Sequence, residues 1–287
     1  MREGLRLLVL DAYPREDRAR LEEAGGTRAG PLYAALLRRL SPGVRIDLHC
    51  PADPGAGVPS GASLADYDGA VWTGSSLTIH EDDDPRVRRQ VELARALLRA
   101  HVPSFGSCFA AQLAVVAAGG ACRASPRGRE FGVGRAITLT AEGERHPLYC
   151  GKPRVFDSLT SHADEVVTLP PGSTLLASNA FSSVQALEVE FEGGSFWAVQ
   201  YHPEYDLHEI ASLAALRADE LVRQGTFSDL GAAREWIATL ERLQRDGSDL
   251  RLAAAAGLGR DVLDADLRTL EVRNWLERGI PARRRGS

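Results

Sequence analysis

The feature that most constrains the fold is residues 102–120, with the sequence VPSFGSCFAAQLAVVAAGG. Its first residues predict a short buried strand, Gly106-Ser107-Cys108 predicts a sharp turn, and the following apolar run predicts a helix ending at Gly119-Gly120. The unpaired N–H groups of a first helical turn point toward a side chain at such a position. They stabilise negative charge, which favours a thiolate or a developing oxyanion at Cys108. The alternative is an inert cysteine, since free cysteines are often buried.

The preceding segments place this stretch in an α/β fold. Apolar runs predict strands at residues 5–11, 44–49 and 67–73, and helical apolar spacing predicts helices at 31–40 and from 84 to about 101. No element is predicted for residues 12–30, and residues 51–63 predict a loop. The alternation of strands and helices predicts a doubly wound, largely parallel sheet. Active sites of such sheets lie beyond the carboxyl ends of the strands, where Gly74 and Cys108 both fall.

An acidic run at residues 81–84 precedes Pro85. One interpretation is a cation site. The favoured interpretation is a helix cap, because Asp84 stands directly before a proline and its charge opposes the helix dipole.

The second half of the chain predicts a different organisation. Short strands are predicted at 134–140, 155–156, 174–178, 184–190 and 196–200, separated by glycine and proline, which favours an antiparallel addition to the sheet. Helices are predicted at 207–224, at 230–245 and within 261–278, where Trp236 and Trp275 are expected to be buried against the main domain or a second subunit. The arginine-rich end at 283–287 is expected to be frayed. We therefore predict two units, residues 1–210 and a helical extension at 211–287.

Composition excludes several classes of function. The 287 residues carry a net charge of −5, which gives no general attraction for nucleic acid, and no apolar run is long enough to span a bilayer. The N-terminus does not resemble a signal peptide, and the four cysteines form no CxxC pair, so we expect reduced thiols in the cytoplasm. The spacing of the seven histidines predicts no metal site.

Three polar motifs occur in order: GSCFAAQ at 106–112, SHADEV at 161–166 and QYHPE at 200–204. In this order they resemble the class I glutamine amidotransferase family, and most of all its GMP-synthase-like branch, which includes stand-alone domains. Segments 72–75, 81–85, 129–134 and 138–140 also fit that branch. The resemblance covers roughly residues 5–210 and implies a flavodoxin-like fold. It departs at Ala110, where the family has glycine, so the helix needs a slight shift from the strand.

The resemblance implies a Cys-His-Glu triad of Cys108, His202 and Glu204. Cys108 would attack a γ-glutamyl carbonyl, His202 would transfer the proton, and Glu204 would orient the imidazole. Seen alone, the His-Pro-Glu segment also fits a plain strand-ending turn. No cofactor and no metal are implied.

The resemblance further implies an oxyanion hole from the backbone N–H groups of Gly74 and Phe109. The resemblance also implies that the substrate is contacted by Ser75, Gln112, Ser161 and His162. Structural alternatives remain open for several of these residues: a turn glycine at Gly74, buried hydrogen bonding at Gln112, and supporting roles for Ser161 and His162.

Three functions are consistent with these residues. The first is a glutamine amidotransferase that hydrolyses glutamine and passes ammonia to a separate synthetase subunit, because the chain has no GxxxxGK[ST] phosphate loop of its own. The second is a stand-alone hydrolase of γ-glutamyl amides or peptides. The third is a non-catalytic, amidotransferase-like protein whose helical extension binds a partner. A homodimer through the C-terminal helices is a further expectation.

Overall fold

The computed structural model describes residues 4–56, 63–81 and 83–280. The predicted loop at 51–63 and the acidic run at 81–84 lie partly outside these residues, and the end at 283–287 lies wholly outside them. The strands are β1 (Arg6–Leu10), β2 (Arg45–His49), β3 (Gly69–Trp72), β4 (Ser104–Ser107), β5 (Ala121–Ala124), β6 (Glu130–Leu139), β7 (Val155–His162), β8 (Asp164–Thr168), β9 (Ser173–Ser178), β10 (Ala186–Phe191) and β11 (Gly194–Val199).

The helices alternate with the strands in the first half and dominate after residue 206. They are α1 (Arg15–Glu23), α2 (Ala29–Leu40), α3 (Pro85–Arg99), α4 (Phe109–Ala117), α5 (Ala141–Arg145), α6 (Leu207–Leu216), α7 (Ala218–Arg223), α8 (Leu230–Arg245), α9 (Leu250–Ala255), α10 (Arg260–Leu263), α11 (Ala265–Arg268) and α12 (Leu270–Asn274), which continues as a π-helical turn, Trp275–Gly279. Of the helices in the described ranges, none combines the length and apolar character needed to cross a membrane.

One mixed sheet organises the described residues, in the order β2-β1-β3-β4-β11-β10-β9-β6-β7. The pairings from β2 to β11 are parallel, and those from β11 through β10, β9 and β6 to β7 are antiparallel. This confirms the α/β fold class with added antiparallel strands. Because β1, β3, β4 and β11 run parallel, their carboxyl ends meet at one edge of the sheet.

Helices cover both faces of the central parallel strands, which explains why β1 and β3 are almost wholly apolar. On β1, Leu8 and Leu10 pack toward α3 and α4, while Leu7 and Val9 pack toward α2, and all four side chains are fully buried. Asp84 caps α3 by accepting a hydrogen bond from the N–H of Arg86, with Pro85 as the first helical residue. The capping interpretation of the acidic run is therefore confirmed at Asp84.

Several elements differ from the sequence predictions. Helix α1 was not predicted, because it is strongly polar and buries only Arg18 and Leu21. Strands β5 and β8 form a separate two-stranded sheet that was also missed, since β5 is short and largely exposed. Residues 161 and 162 fall outside the predicted strands, but both belong to β7 and pair with β6.

The predicted helix at 207–224 is in fact two helices. Arg217 separates α6 from α7 with φ −110° and ψ 12°, outside helical values. Trp275 is 1% exposed, and its ring lies 5.9 Å from that of Phe105, which confirms its predicted burial against the main domain. Trp236 is only partly buried, 6.0 Å from the Phe131 ring, because one side of α8 remains open to solvent.

Candidate active site

Cys108 lies at the turn between β4 and α4 with φ +57° and ψ −109°. This backbone conformation is costly for a residue with a side chain, and such strain is concentrated at functional sites. Two hydrogen bonds hold it: the Cys108 N–H donates to Val199 O at 2.8 Å, and its carbonyl accepts from the Ala111 N–H at 2.9 Å. The first joins Cys108 to β11 and the second starts α4. The side chain is thereby directed into a pocket at the carboxyl edge of the sheet.

The turn accommodates Ala110 because Gly106 lacks a side chain. A Cβ atom on Gly106 would overlap the Cβ of Ala110 and lie 2.8 Å from Trp72 O. The space that this glycine leaves is filled by the methyl group of Ala110, which is fully buried. Cys108 is therefore positioned at the turn despite the departure from the family pattern.

His202 follows β11 and is locked from three sides. Its backbone N–H donates to Leu159 O at 2.8 Å, and its Nδ1 lies 2.7 Å from Glu204 Oε1. Its ring stacks on Tyr205, with centroids 3.9 Å apart and an interplanar angle of 2°. The stacking and the carboxylate together leave the imidazole little freedom to rotate.

Glu204 is itself held by two hydroxyl groups that sequence reasoning missed. Ser107 Oγ donates to Glu204 Oε1 at 2.8 Å, and Tyr33 OH donates to Oε2 at 3.1 Å. Tyr33 OH also lies 2.8 Å from Ser107 Oγ. Ser107 directly precedes Cys108, so its position was a usable signal. Tyr33 belongs to α2, and nothing in the sequence links it to Glu204.

The charge on His202 follows from these contacts. Burial by itself would lower the pKa of His202, but the charge of Glu204 and hydrogen bonding to Cys108 and Glu204 raise it to about 10. His202 is therefore an imidazolium ion at neutral pH.

The two predicted oxyanion-hole residues lie beside Cys108. A Cβ atom on Gly74 would be 3.0 Å from His202 Cε1 and 3.6 Å from Cys108 Cβ, so glycine permits this close approach. The Thr73 hydroxyl donates to Gly74 O at 2.7 Å and accepts from the Ala12 N–H at 2.9 Å, which fixes the segment. Phe109 is the first residue of α4 and lines the pocket.

The four predicted substrate-contact residues, Ser75, Gln112, Ser161 and His162, also line this pocket. Three of their side chains make internal hydrogen bonds: Ser75 Oγ donates to Ala12 O at 2.9 Å, Gln112 Nε2 donates to Asp164 O at 3.4 Å, and His162 Nε2 lies 2.8 Å from Glu130 Oε2. These bonds are compatible with the structural alternatives for Gln112 and His162, while all three residues also line the pocket.

Ser161 presents its backbone to the cysteine. Its carbonyl oxygen lies 3.5 Å from Cys108 Sγ, while its own buried hydroxyl has no hydrogen-bond partner. The carbonyl is therefore a polar group next to the sulfur.

Sequence reasoning assigned no role to several other residues of the pocket: Tyr13, Arg129, Asp164, Tyr205 and Arg217. Arg129, Asp164 and Tyr205 lie within or next to the motifs, which was a signal. Nothing in the sequence pointed to Tyr13 or Arg217, which lie outside the motifs. Within the described ranges no group of histidine, cysteine and acidic side chains is arranged to hold a metal ion.

Several known proteins resemble this chain in sequence. A family model for glutamine amidotransferase class-I matches residues 80–214. A gamma-glutamyl-L-1-hydroxyisopropylamide hydrolase of a Pseudomonas species is 32% identical over 280 residues, which is 96% of this chain and 93% of the relative. Gamma-glutamyl peptidase 3 of Arabidopsis thaliana is 32% identical over 52% of this chain and 59% of the relative. A glutamine-hydrolyzing GMP synthase of Thermomicrobium roseum is 28% identical over 66% of this chain and 33% of the relative.

Solved structures resemble the whole described fold. A glutamine amidotransferase from Thermotoga maritima superposes with a TM-score of 0.66 at 15% identity, covering 97% of this chain and 99% of the other. One from Methylobacillus flagellatus superposes with a TM-score of 0.62 at 17% identity, covering 100% of this chain and 96% of the other. At these identities the likeness concerns the fold alone, and it extends through the C-terminal helices.

Proposed function

The chain belongs to the class I glutamine amidotransferase family, and we propose that it is a stand-alone hydrolase of γ-glutamyl amides acting through a thioester on Cys108. The observation that carries the proposal is that Cys108 and His202 line one pocket while the Glu204 carboxylate holds the His202 ring at 2.7 Å. The Pseudomonas relative supports hydrolysis of an amide in particular, because the similarity spans nearly all of both chains.

The first half of the reaction forms the thioester. The Cys108 thiolate attacks the side-chain carbonyl carbon of the γ-glutamyl group, and the carbonyl π electrons move to oxygen. The backbone N–H groups of Gly74 and Phe109 stabilise this oxyanion. The His202 imidazolium gives its proton to the amide nitrogen, so the carbon–nitrogen bond breaks and a neutral amine leaves.

The second half releases glutamate. Neutral His202 takes a proton from water as its oxygen attacks the thioester carbonyl. This proton transfer regenerates the imidazolium. Collapse of the tetrahedral intermediate then expels the Cys108 thiolate, and the new γ-carboxylic acid loses its proton to solvent. Glu204 keeps His202 oriented, and Ser107 and Tyr33 in turn orient Glu204.

The polar groups near the sulfur would position the substrate. We assign Ser75 and Gln112 to the substrate side of the pocket and the Ser161 carbonyl to a contact with the γ-glutamyl group. His162 supports the wall, since Glu130 holds its ring.

A second candidate function is hydrolysis of glutamine with delivery of ammonia to a separate synthetase. The similarity to the glutamine-hydrolyzing GMP synthase favours it. In that case a partner would raise glutamine turnover, whereas the stand-alone hydrolase needs none. The homodimer through the C-terminal helices stays a prediction.

The test compares γ-glutamyl ethylamide, γ-glutamylglycine and glutamine as substrates of the purified chain, with glutamate release as the readout. We expect turnover of the substituted amide without a partner, and loss of turnover in Cys108→Ala. A diazoketone analogue of glutamine should label the unmodified protein but not this variant. Cys150→Ala is the matched control, because Cys150 is an exposed free cysteine.

The remaining outcomes separate the alternatives. Turnover confined to glutamine would favour the amidotransferase. Absence of both turnover and labelling in folded protein would refute the catalytic proposal and leave the non-catalytic alternative.

A further inference from the structure

Two arginines enter the candidate active site from different parts of the chain. Arg129 directly precedes β6, and Arg217 separates α6 from α7. Both line the pocket that contains Cys108. Arg217 lies beyond residue 214, where the match to the family model ends, so the pocket includes a charged group from outside the matched region.

These two cations share one nearby acid. Arg129 Nη2 donates to Glu220 Oε1 at 3.1 Å, whereas Arg217 Nη1 lies 3.7 Å from Glu220 Oε2, beyond hydrogen-bond distance. The Nε atoms of both arginines are buried and have no hydrogen-bond partner. Buried donors without partners are unfavourable, so this pair has unused capacity to bind an anion.

The electrostatics agree with the contacts. Burial, together with the positive charge of Arg217, lowers the pKa of Arg129. Burial opposes ionisation of Glu220, but the two guanidinium groups hold its pKa below its usual value. A second anion beside the arginines would relieve their mutual repulsion.

An acidic group stands near this pair and indicates which anion fits. Asp164 lines the same pocket. Burial raises the pKa of its carboxyl group, and His80, 3.5 Å away, and then Arg129 act against that rise. An α-amino acid carries an ammonium and a carboxylate on one carbon, so it needs acidic and basic groups side by side. The amine released from a γ-glutamyl alkylamide has no such pair of charges, whereas the glycine released from γ-glutamylglycine does.

On the basis of the proposed function, we propose that Arg129 and Arg217 bind the α-carboxylate of the γ-glutamyl substrate. A guanidinium pair can take up both oxygens of a carboxylate. The helix after β11 would thus select substrates with a free α-carboxylate.

The test measures binding to the Cys108→Ala protein by calorimetry, which does not depend on turnover. The ligands are L-glutamine, glutaramate, which lacks the α-amino group, and 4-aminobutanamide, which lacks the α-carboxylate. Arg217→Gln should weaken binding of the first two by about 10- to 150-fold, the usual range for a hydrogen bond to a charged group, and should change the third by less than about 2-fold. Arg217→Lys should recover part of the loss.

Arg223→Gln is the matched control, because Arg223 is an exposed arginine on α7 outside the pocket. Its binding should equal that of the parent protein. Thermal unfolding of each variant shows whether it folds, and Arg129→Gln provides an independent test of the pair. Equal weakening for all three ligands, or unchanged binding in folded Arg217→Gln, would overturn the proposal.

Kinetics of Arg217→Gln in a chain that keeps Cys108 show whether the arginines bind the α-carboxylate or the leaving group. Arg217→Gln should raise KM equally for γ-glutamyl ethylamide and γ-glutamylglycine, with a smaller effect on kcat. An increase confined to γ-glutamylglycine would assign the arginines to the leaving group and refute the α-carboxylate assignment. Failure of the proposed function would remove turnover in every variant but would leave the calorimetric result intact.

Discussion

A buried ion pair joins the C-terminal segment to the loop that precedes β7. Lys152, the single lysine of the sequence, lies 2.9 Å from Glu271 Oε1, and the two side chains are 1% and 0% exposed. Tyr201 OH donates to the same carboxylate oxygen at 2.7 Å. We predict that Glu271→Gln strongly destabilises the protein, because it leaves the ammonium group buried without its counter-charge.

The size of the destabilisation in Glu271→Gln depends on the contacts that Lys152 keeps. Removal of one partner from a buried pair costs about 3–5 kcal/mol. Lys152 Nζ keeps its hydrogen bond to Leu267 O at 2.8 Å and its position 4.7 Å from the Phe156 ring centroid. These contacts place the cost at the lower end, about 3 kcal/mol. That is a large part of the about 5–15 kcal/mol by which proteins of this kind are stable.

The assay is urea unfolding of Glu271→Gln, Lys152→Met and the double variant. Because the double variant has no uncompensated charge, we expect it to be less destabilised than the sum of the single variants by about 2 kcal/mol or more. Glu144→Gln is the control, since Glu144 pairs with Arg154 at 2.8 Å on an exposed surface and should change stability by less than about 1 kcal/mol. The reasoning would be refuted if the losses of stability in the two single variants were additive in the double variant. It would also be refuted if Glu144→Gln and Glu271→Gln lost equal stability.

Three further changes test the site and its support. Gly106→Ala should destabilise the protein by about 3 kcal/mol in urea unfolding, because its Cβ would overlap that of Ala110, and Ala110→Gly in the same chain should restore part of the loss; no restoration would contradict this account of the turn. Because the pKa of His202 is raised from 6.5 to about 10, its charged form stabilises the fold fully below about pH 6.5, and this stabilisation is lost as the pH rises to about 10. Unfolding measured across that interval should therefore show a smaller decline in Glu204→Gln, and parallel profiles would argue against the pair. Trp275→Ala should cost about 3–5 kcal/mol by thermal or urea unfolding, since its indole is 1% exposed; a cost below about 1 kcal/mol would mean that the segment contributes little to the core.

Much of the fold could be predicted, because its signals are local. A continuous apolar run indicated β1 as a buried strand, shorter apolar segments indicated β3 and β4, and the proline after Asp84 indicated the start of α3. Helix α1 could not be recognised in this way, since a helix that buries only two side chains has no apolar stripe. The break between α6 and α7 at Arg217 was not predicted either, because the helical spacing of apolar residues continues through it.

The candidate site was predicted in part for the same reason. Cys108, His202 and Glu204 belong to short motifs whose order along the chain resembles a known family. The side chains that hold Glu204 are not part of any such motif. Tyr33 is 171 positions away from Glu204, and only the packing of α2 on the sheet brings its hydroxyl to the carboxylate.

The sequence by itself therefore determined most of the strands and helices and their order, the turn at Cys108 and the motif residues of the pocket. These depend on residue patterns within a few turns or strands, where neighbouring positions constrain one another directly. The tertiary structure alone decided how Ala110 fits against Gly106, how Tyr33 and Ser107 hold Glu204, and how Arg217 joins Arg129. Each of these contacts joins elements that pack together only in the folded chain, so its geometry exists only there.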